Sequence, residues 1–221
     1  MAEAATPDLT LDELRLMLAP AIADAAVFDG WSDAAVQTAA QDAGVDADVA
    51  AYAFRGGAMD MIEAWIAKVD AQMIAAFPPE AVAEMKIRER IAALVWFRLE
   101  AVLGQEEAVR RALSIMAMPR NARRALKRGW QSADLMWRLA GDTATDYNHY
   151  TKRTLLAGIY ATTLGVFIDD ESEGKAETRA FLDRRIDGVM KFEKAKAQFL
   201  RAPEERFSMA RFLGRLRYPA R

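Results

Sequence analysis

The sequence predicts an all-α fold, on three observations. Apolar residues recur at three- and four-residue spacing along most of the chain. No Asn-Gly or Asp-Gly hairpin joins two runs of alternating β-branched residues, so strand signals are nearly absent. Glycines and prolines fall where the periodic segments end, as helix stop signals do.

Each helix follows from its own residues. Thr10 is an N-cap for a first helix over 11–28, stopped at Gly30, with Leu14, Met17, Leu18, Ile22 and Ala25 as its core-facing stripe. Ser32 caps a second over 33–43, and Gly44 closes it. A short third spans 46–54 and is broken by Arg55-Gly56-Gly57. A fourth over 59–77 ends at Pro78-Pro79, which cannot continue it. Longer helices are expected over 79–103, 106–118, 121–139, 145–168 and 175–201, with an acidic loop at 169–174 between the last two. An amphipathic segment follows over 204–217.

Composition bounds the chemistry. The 221 residues include no cysteine, which excludes disulfides, thiolate metal sites and cysteine nucleophiles. A single histidine, His149, excludes zinc sites that need two imidazoles. It reads as a surface or hydrogen-bonding residue rather than a general base, and Asp142 and Asp146 beside it read as capping or helix-dipole carboxylates. There is no nucleophile elbow, P-loop or dinucleotide fingerprint, so no enzyme, metal or cofactor is expected. No apolar run reaches the ~18 residues of a membrane span, and residues 1–11 have no signal-peptide pattern.

The net charge of −2 conceals a division. Residues 1–85 carry −12 and residues 86–221 carry +10. Residues 110–128 hold seven cations and no acid, and 201–221 hold six arginines against Glu204 and Glu205. The second part is therefore expected to meet something anionic.

The first helices have the lengths of a helix-turn-helix, and residues 23–54, with "AAVFDGW", "AAQDAGV" and the closing "YAF", resemble the N-terminal domain of TetR-type regulators. A DNA-reading helix needs cations for phosphates and donors for base edges. Residues 46–54 offer Asp46 and Asp48 instead, and Arg15 is the single cation up to residue 54. No nucleic-acid partner is expected, and the motif reads as a scaffold.

Residues 112–163 carry a denser pattern: "ALSIMAMPRN", then D-x-M-W-x-x-A-G-D at 134–142, T-D-x-N-x-Y-T-K-R at 145–153 and I-Y-A-T-T at 159–163. This stretch resembles the TetR-like lipid-binding accessory proteins of ubiquinone biosynthesis, the family of the ninth coenzyme Q assembly protein. The resemblance implies a homodimer that binds an isoprenoid quinone intermediate or a phospholipid and presents it to a ubiquinone-pathway hydroxylase. It also implies cytoplasmic placement at the periphery of the inner membrane, since the eukaryotic members' targeting extension is not seen. Carried over residue by residue, the hydroxylase surface falls on Met118, Pro119, Asp134 and Trp137. The residues alone leave Trp137 open between an exposed interface aromatic and a half-buried one, and the resemblance favours the interface. The expected parts are a helix-turn-helix-like domain over 1–57, a ligand and dimerisation domain over 58–201, and an anchoring helix over 202–221. In the last, Phe207, Phe212, Leu213 and Leu216 lie among Arg211 and Arg215, a pattern suited to an anionic membrane surface; docking on its own domain is the alternative. Leu94, Phe97, Leu113, Met116, Leu135, Leu155 and Ile159 are candidate lining for the lipid, though an ordinary core would read the same way. The small residues Gly158, Ala161, Thr162 and Gly165 would let a ligand or a second helix come close. The competing function is a TetR-type transcriptional regulator with a lipid effector.

Overall fold

The computed structural model describes residues 9–142 and 147–200, excepting the side chains at 147, 148, 190 and 192–200. The segment expected to anchor the chain, with Phe207, Arg211, Phe212, Leu213, Arg215 and Leu216, lies outside the described residues, as do Thr145 and Asp146. The chain forms two compact units, residues 1–183 and 184–221, and the contacts below are those of the first.

Among the described residues the structure is helical, with no strand. In order, α1 spans Leu11–Asp29, α2 Asp33–Asp42, α3 Ala47–Ala53, α4 Ala58–Ala76, α5 Pro79–Val82, α6 Ile87–Glu100, α7 Glu106–Met116, α8 Ala122–Leu139, α9 Tyr147–Phe167 and α10 Ala176–Leu200. None of these helices is long and apolar enough to cross a membrane.

The helix ends follow local chemistry. At α1, Glu13 N–H donates to the Thr10 hydroxyl while the Glu13 carboxylate accepts from Thr10 N–H at 2.9 Å, a complete capping box. The helix has no basic residue in its last turn. Arg111 of α7 closes it instead, donating to the carbonyls of Phe28 at 2.9 Å and Ala26 at 3.3 Å. The buried face of α1 is Leu14, Leu18, Ala19, Ile22, Ala23 and Ala26, so Met17 is on the outside, 40% exposed.

The helix expected over 79–103 is two helices. Between α5 and α6 the chain breaks, and Glu89 caps Lys86 N–H at 2.9 Å to start α6. Arg90 holds the break by donating to Met85 O, Ala83 O and, from α8's end, Ala140 O. A contact fifty residues away thus decides a local boundary.

At the α9–α10 turn, Asp170 is buried and accepts from Ser172 N–H and Thr178 N–H, each at 2.8 Å, and from both hydroxyls. Burial works against its charge, but these donors outweigh it and hold the carboxyl well below the usual range.

α1 packs on α2, α3, α4 and α7, so the first three helices share their unit with those after them. Trp31 fixes this junction: its indole N–H donates to Ala108 O at 3.0 Å and its ring lies 5.2 Å from that of Trp65. Leu18, Ile22, Met61, Ile62, Met73, Leu94, Leu99 and Met136 are nearly or fully buried and make the core.

Candidate functional site

Beside that core is a cavity of about 700 Å³, within the range of ligand sites. Its walls come from five helices: Ile62, Trp65 and Val69 of α4, Arg98 of α6, Val109, Leu113 and Met116 of α7, Leu126, Gly129 and Trp130 of α8, and Gly158, Ala161 and Leu164 of α9. Leu126 is 75% exposed and Gly158 is exposed as well, so the cavity opens between α8 and α9. Small residues make that opening: a Cβ added at Gly129 or Gly158 would meet nothing within 4 Å. A space walled this way is poor in partners for water and suited to an apolar guest.

Arg98 is the charged side chain in the wall, and it is almost wholly buried. Its Nη1 pairs with Asp70 of α4, and its Nη2 donates to the Ser132 hydroxyl of α8 at 3.2 Å. The guanidinium lies 5.0 Å from the ring centroid of Tyr160 on α9. Burial opposes its charge, but Tyr160 and Asp70 outweigh burial and raise its pKa further. The Nε–H has no hydrogen-bond partner.

The pattern at 134–153 proves to be a lock between α8 and α9. Arg153, 2% exposed, donates from Nε to Asp134 at 2.6 Å and from Nη1 to Asp142 at 3.1 Å. Lys152 pairs with Asp142 at 2.6 Å, and its carbonyl accepts from the Trp137 indole N–H at 3.0 Å. Arg138 also pairs with Asp134 at 2.6 Å. Burial works against the Asp142 carboxylate, but Lys152 and Arg153 hold its pKa below the usual value. Asp142 is therefore an ion-pair partner rather than a cap. Trp137 is half-buried rather than exposed, because its indole bonds to α9 and the Lys152 ammonium lies 5.3 Å from its ring.

Met118 and Pro119 sit at the other end of α8, in the exposed turn after α7. They do not converge with Asp134 and Trp137: the fifteen steps from Ala122 to Trp137 span roughly 22 Å of helix at ~1.5 Å per residue. Of the candidate lining residues, Leu113 and Met116 face the cavity. Leu94 is fully buried in the core instead, and Phe97 packs edge-on against Phe77 at 5.6 Å. Leu135, Leu155 and Ile159 are half-buried and outside the lining. Sequence reasoning missed Trp65, Arg98, Ser132, Gly129 and Tyr160. Two signals were available: an arginine inside the apolar run 91–99, and glycines on both α8 and α9.

Among the described residues, part of the divided charge is paired between the two halves, and Arg110 is paired within the second. Arg124 bonds to Asp60 at 2.7 Å and Glu63 at 2.8 Å, Arg128 to Glu63 at 3.0 Å, and Arg110 to Asp169 at 2.8 Å. Burial opposes the Glu63 carboxylate, yet the two arginines lower its pKa. In α3 the Asp46 carboxylate takes the N–H groups of Asp48 and Val49 at 2.9 and 3.0 Å. Those amides would otherwise receive a phosphate. Arg15 is spent on Asp12 and Ala53 O.

Comparison with known proteins supplies the relationship. Residues 122–193 match the COQ9 family model. The chain is 32% identical over 168 residues to the ubiquinone biosynthesis protein COQ9, mitochondrial, of Rattus norvegicus, covering 73% of this chain and 54% of that one. The human protein of the same name is 40% identical over 93 residues, covering 42% and 29%. This chain spans about half the length of the rat and Bos taurus relatives it matches. Among solved structures, a TetR transcriptional regulator from Nitrosomonas europaea ATCC 19718 superposes with a TM-score of 0.64 at 22% identity, over 79% of this chain and 96% of that one. That likeness is one of fold, and it makes the all-α architecture TetR-like. With the family model and the curated relatives in agreement over α8 and α9, the chain belongs to the COQ9 family.

Proposed function

We propose that the protein is a non-enzymatic lipid carrier of ubiquinone biosynthesis. It takes an isoprenoid quinone intermediate, or a phospholipid, into the cavity between α4 and α6–α9 and offers the head group to a ubiquinone-pathway hydroxylase. The observation that carries this reading is the apolar cavity of about 700 Å³, in a chain whose relatives are named for ubiquinone biosynthesis. A polyprenylated ring is nearly insoluble, so an enzyme acting on it from water gains from a partner that buries the tail. Met118 and Pro119 directly follow Met116 and Ala117 of the cavity wall, so a hydroxylase docked there would stand next to the guest. Trp137 and Asp134 would widen that surface along α8. A homodimer is part of the proposal, as is attachment to the inner membrane through 202–221. The transcriptional alternative is disfavoured by Asp46 filling the α3 amides and by the spent Arg15.

Native mass spectrometry with lipid extraction tests the carrier reading: copurified isoprenoid or phospholipid is expected at up to one per chain. Empty protein that also binds an operator tightly and salt-sensitively would sink it. The anchor has its own test. Deleting 202–221 should abolish cosedimentation with anionic liposomes, and unchanged sedimentation would remove the anchor from the proposal.

A further inference from the structure

We propose that the rim of the cavity is itself a docking face for an anionic lipid bilayer, so that the mouth between α8 and α9 opens onto the membrane. This rests on the lipid-carrier reading and adds to it the surface through which the guest enters. It concerns residues 123–150 and is separate from the segment 202–221.

Three observations meet at the opening. The first is charge. Of the seven cations at 110–128, Arg110, Arg111, Arg124 and Arg128 pair with carboxylates. Arg120, Arg123 and Lys127 are exposed and meet no carboxylate among the described residues. Arg123 stands in the first turn of α8, where the helix dipole disfavours a cation and no acid offsets it. The helix gains nothing from that charge, whereas an anionic surface does.

The second is apolar exposure. Leu126 is 75% exposed, and Tyr150 in the first turn of α9 is 63% exposed. Arg123, Leu126, Lys127 and Trp130 follow one another at three- and four-residue spacing, so they share one face of α8. The Tyr150 ring lies 5.9 Å from that of Trp130 and 5.2 Å from that of His149. A projecting aliphatic, aromatic rings with polar edges, and cations beside them suit the head-group level of an anionic leaflet.

The third is place. Leu126 and Trp130 also line the cavity, so the projecting face borders the way in. A guest too insoluble to cross water needs the mouth against the bilayer it leaves. An acidic protein would meet the cations, but only a bilayer also supplies the guest. The face overlaps the stretch of α8 proposed for the hydroxylase, so loading and delivery take place in turn.

The chain has no cysteine, so Leu126→Cys carries a single nitrobenzoxadiazole label on the full chain. Val49→Cys, on α3 beside Asp46 and Asp48, is the control. With phosphatidylglycerol vesicles the label at position 126 is expected to brighten and shift to the blue, and the label at 49 to stay unchanged. Arg123→Glu with Lys127→Glu should raise the lipid needed for half the signal by roughly tenfold, since each cation near an anionic leaflet is worth about fivefold. Raised salt should weaken the signal in the same direction, which keeps the test open if the charge reversal does not fold. No response at 126, an equal response at 49, or a signal indifferent to both charge reversal and salt would overturn the proposal. So would an equal response to monomeric dihexanoyl-phosphatidylglycerol, which assigns the signal to a guest in the cavity, or a response to poly-L-glutamate and none to vesicles, which assigns the face to an acidic protein. Copurified lipid in a chain whose label ignores vesicles would remove the docking face and leave the carrier reading standing. Empty protein whose label responds would do the reverse.

Discussion

Phenylalanine at both Gly129 and Gly158 is expected to empty the cavity while leaving the fold intact. Both glycines line the space and sit within helices, one on each side of the opening. A Cβ at either has nothing within 4 Å to strike, so the new side chains grow into free volume. Glycine in a helix interior costs ~0.5–1 kcal/mol relative to alanine, so the backbone gains from the change. Two phenyl rings beside the opening obstruct the way in for a ring with an isoprenoid tail. Native mass spectrometry should show copurified lipid falling more than tenfold, with the thermal midpoint unchanged or higher. A double variant that melts normally and still carries one lipid per chain would place the guest elsewhere.

The second large effect is on stability. Arg153→Met should lower the thermal midpoint by about 10 °C, from a loss of roughly 3 kcal/mol in a chain of this size. The arginine is 2% exposed and bridges Asp134 and Asp142, so its removal leaves one half-buried and one largely buried carboxylate with one cation each, Arg138 and Lys152. The loss is therefore placed at the low end for breaking a buried pair. Its pH dependence has a definite sign. The folded Asp142 pKa is lowered, so its contribution is present above the ordinary aspartate pKa of about 3.9 and is lost as pH falls through the folded value. The gap between the two proteins should thus be widest near neutrality and narrow below about pH 4. Thermal melts from pH 7 to pH 3 check this. A gap under 2 °C at pH 7, or one that does not change with pH, would contradict the lock.

Much of the helical order was legible because its causes are local. Thr10 with Glu13, Ser32, Gly30 and Pro78-Pro79 mark their boundaries with residues a few positions apart. What escaped has distant causes. The break before α6 depends on Arg90 reaching Ala140, and the end of α1 depends on Arg111. Met17 fits the periodic stripe of α1, yet the buried face is rotated off it, since only the packing of α2, α4 and α7 decides which side faces in. For the cavity, Leu94 and Leu113 are indistinguishable as sequence. One fills the core and the other lines an open space. The charge division was visible, but its meaning changed. Arg124 and Arg128 meet Asp60 and Glu63 of α4, so part of the positive charge at 110–128 is met within the fold.

The cavity draws its walls from two sources. The stretch recognised by the family model, 122–193, supplies α8 and α9, whereas α4, α6 and α7 lie outside it. It is a mould of two unequal casts. The recognised cast holds Gly129, Ser132, Gly158 and Tyr160 and the ionic lock, while the other holds Trp65, Val69, Arg98 and Met116. Kinship runs through both casts, since the alignment with the rat protein covers 73% of this chain, and a change in either one reshapes the same hollow.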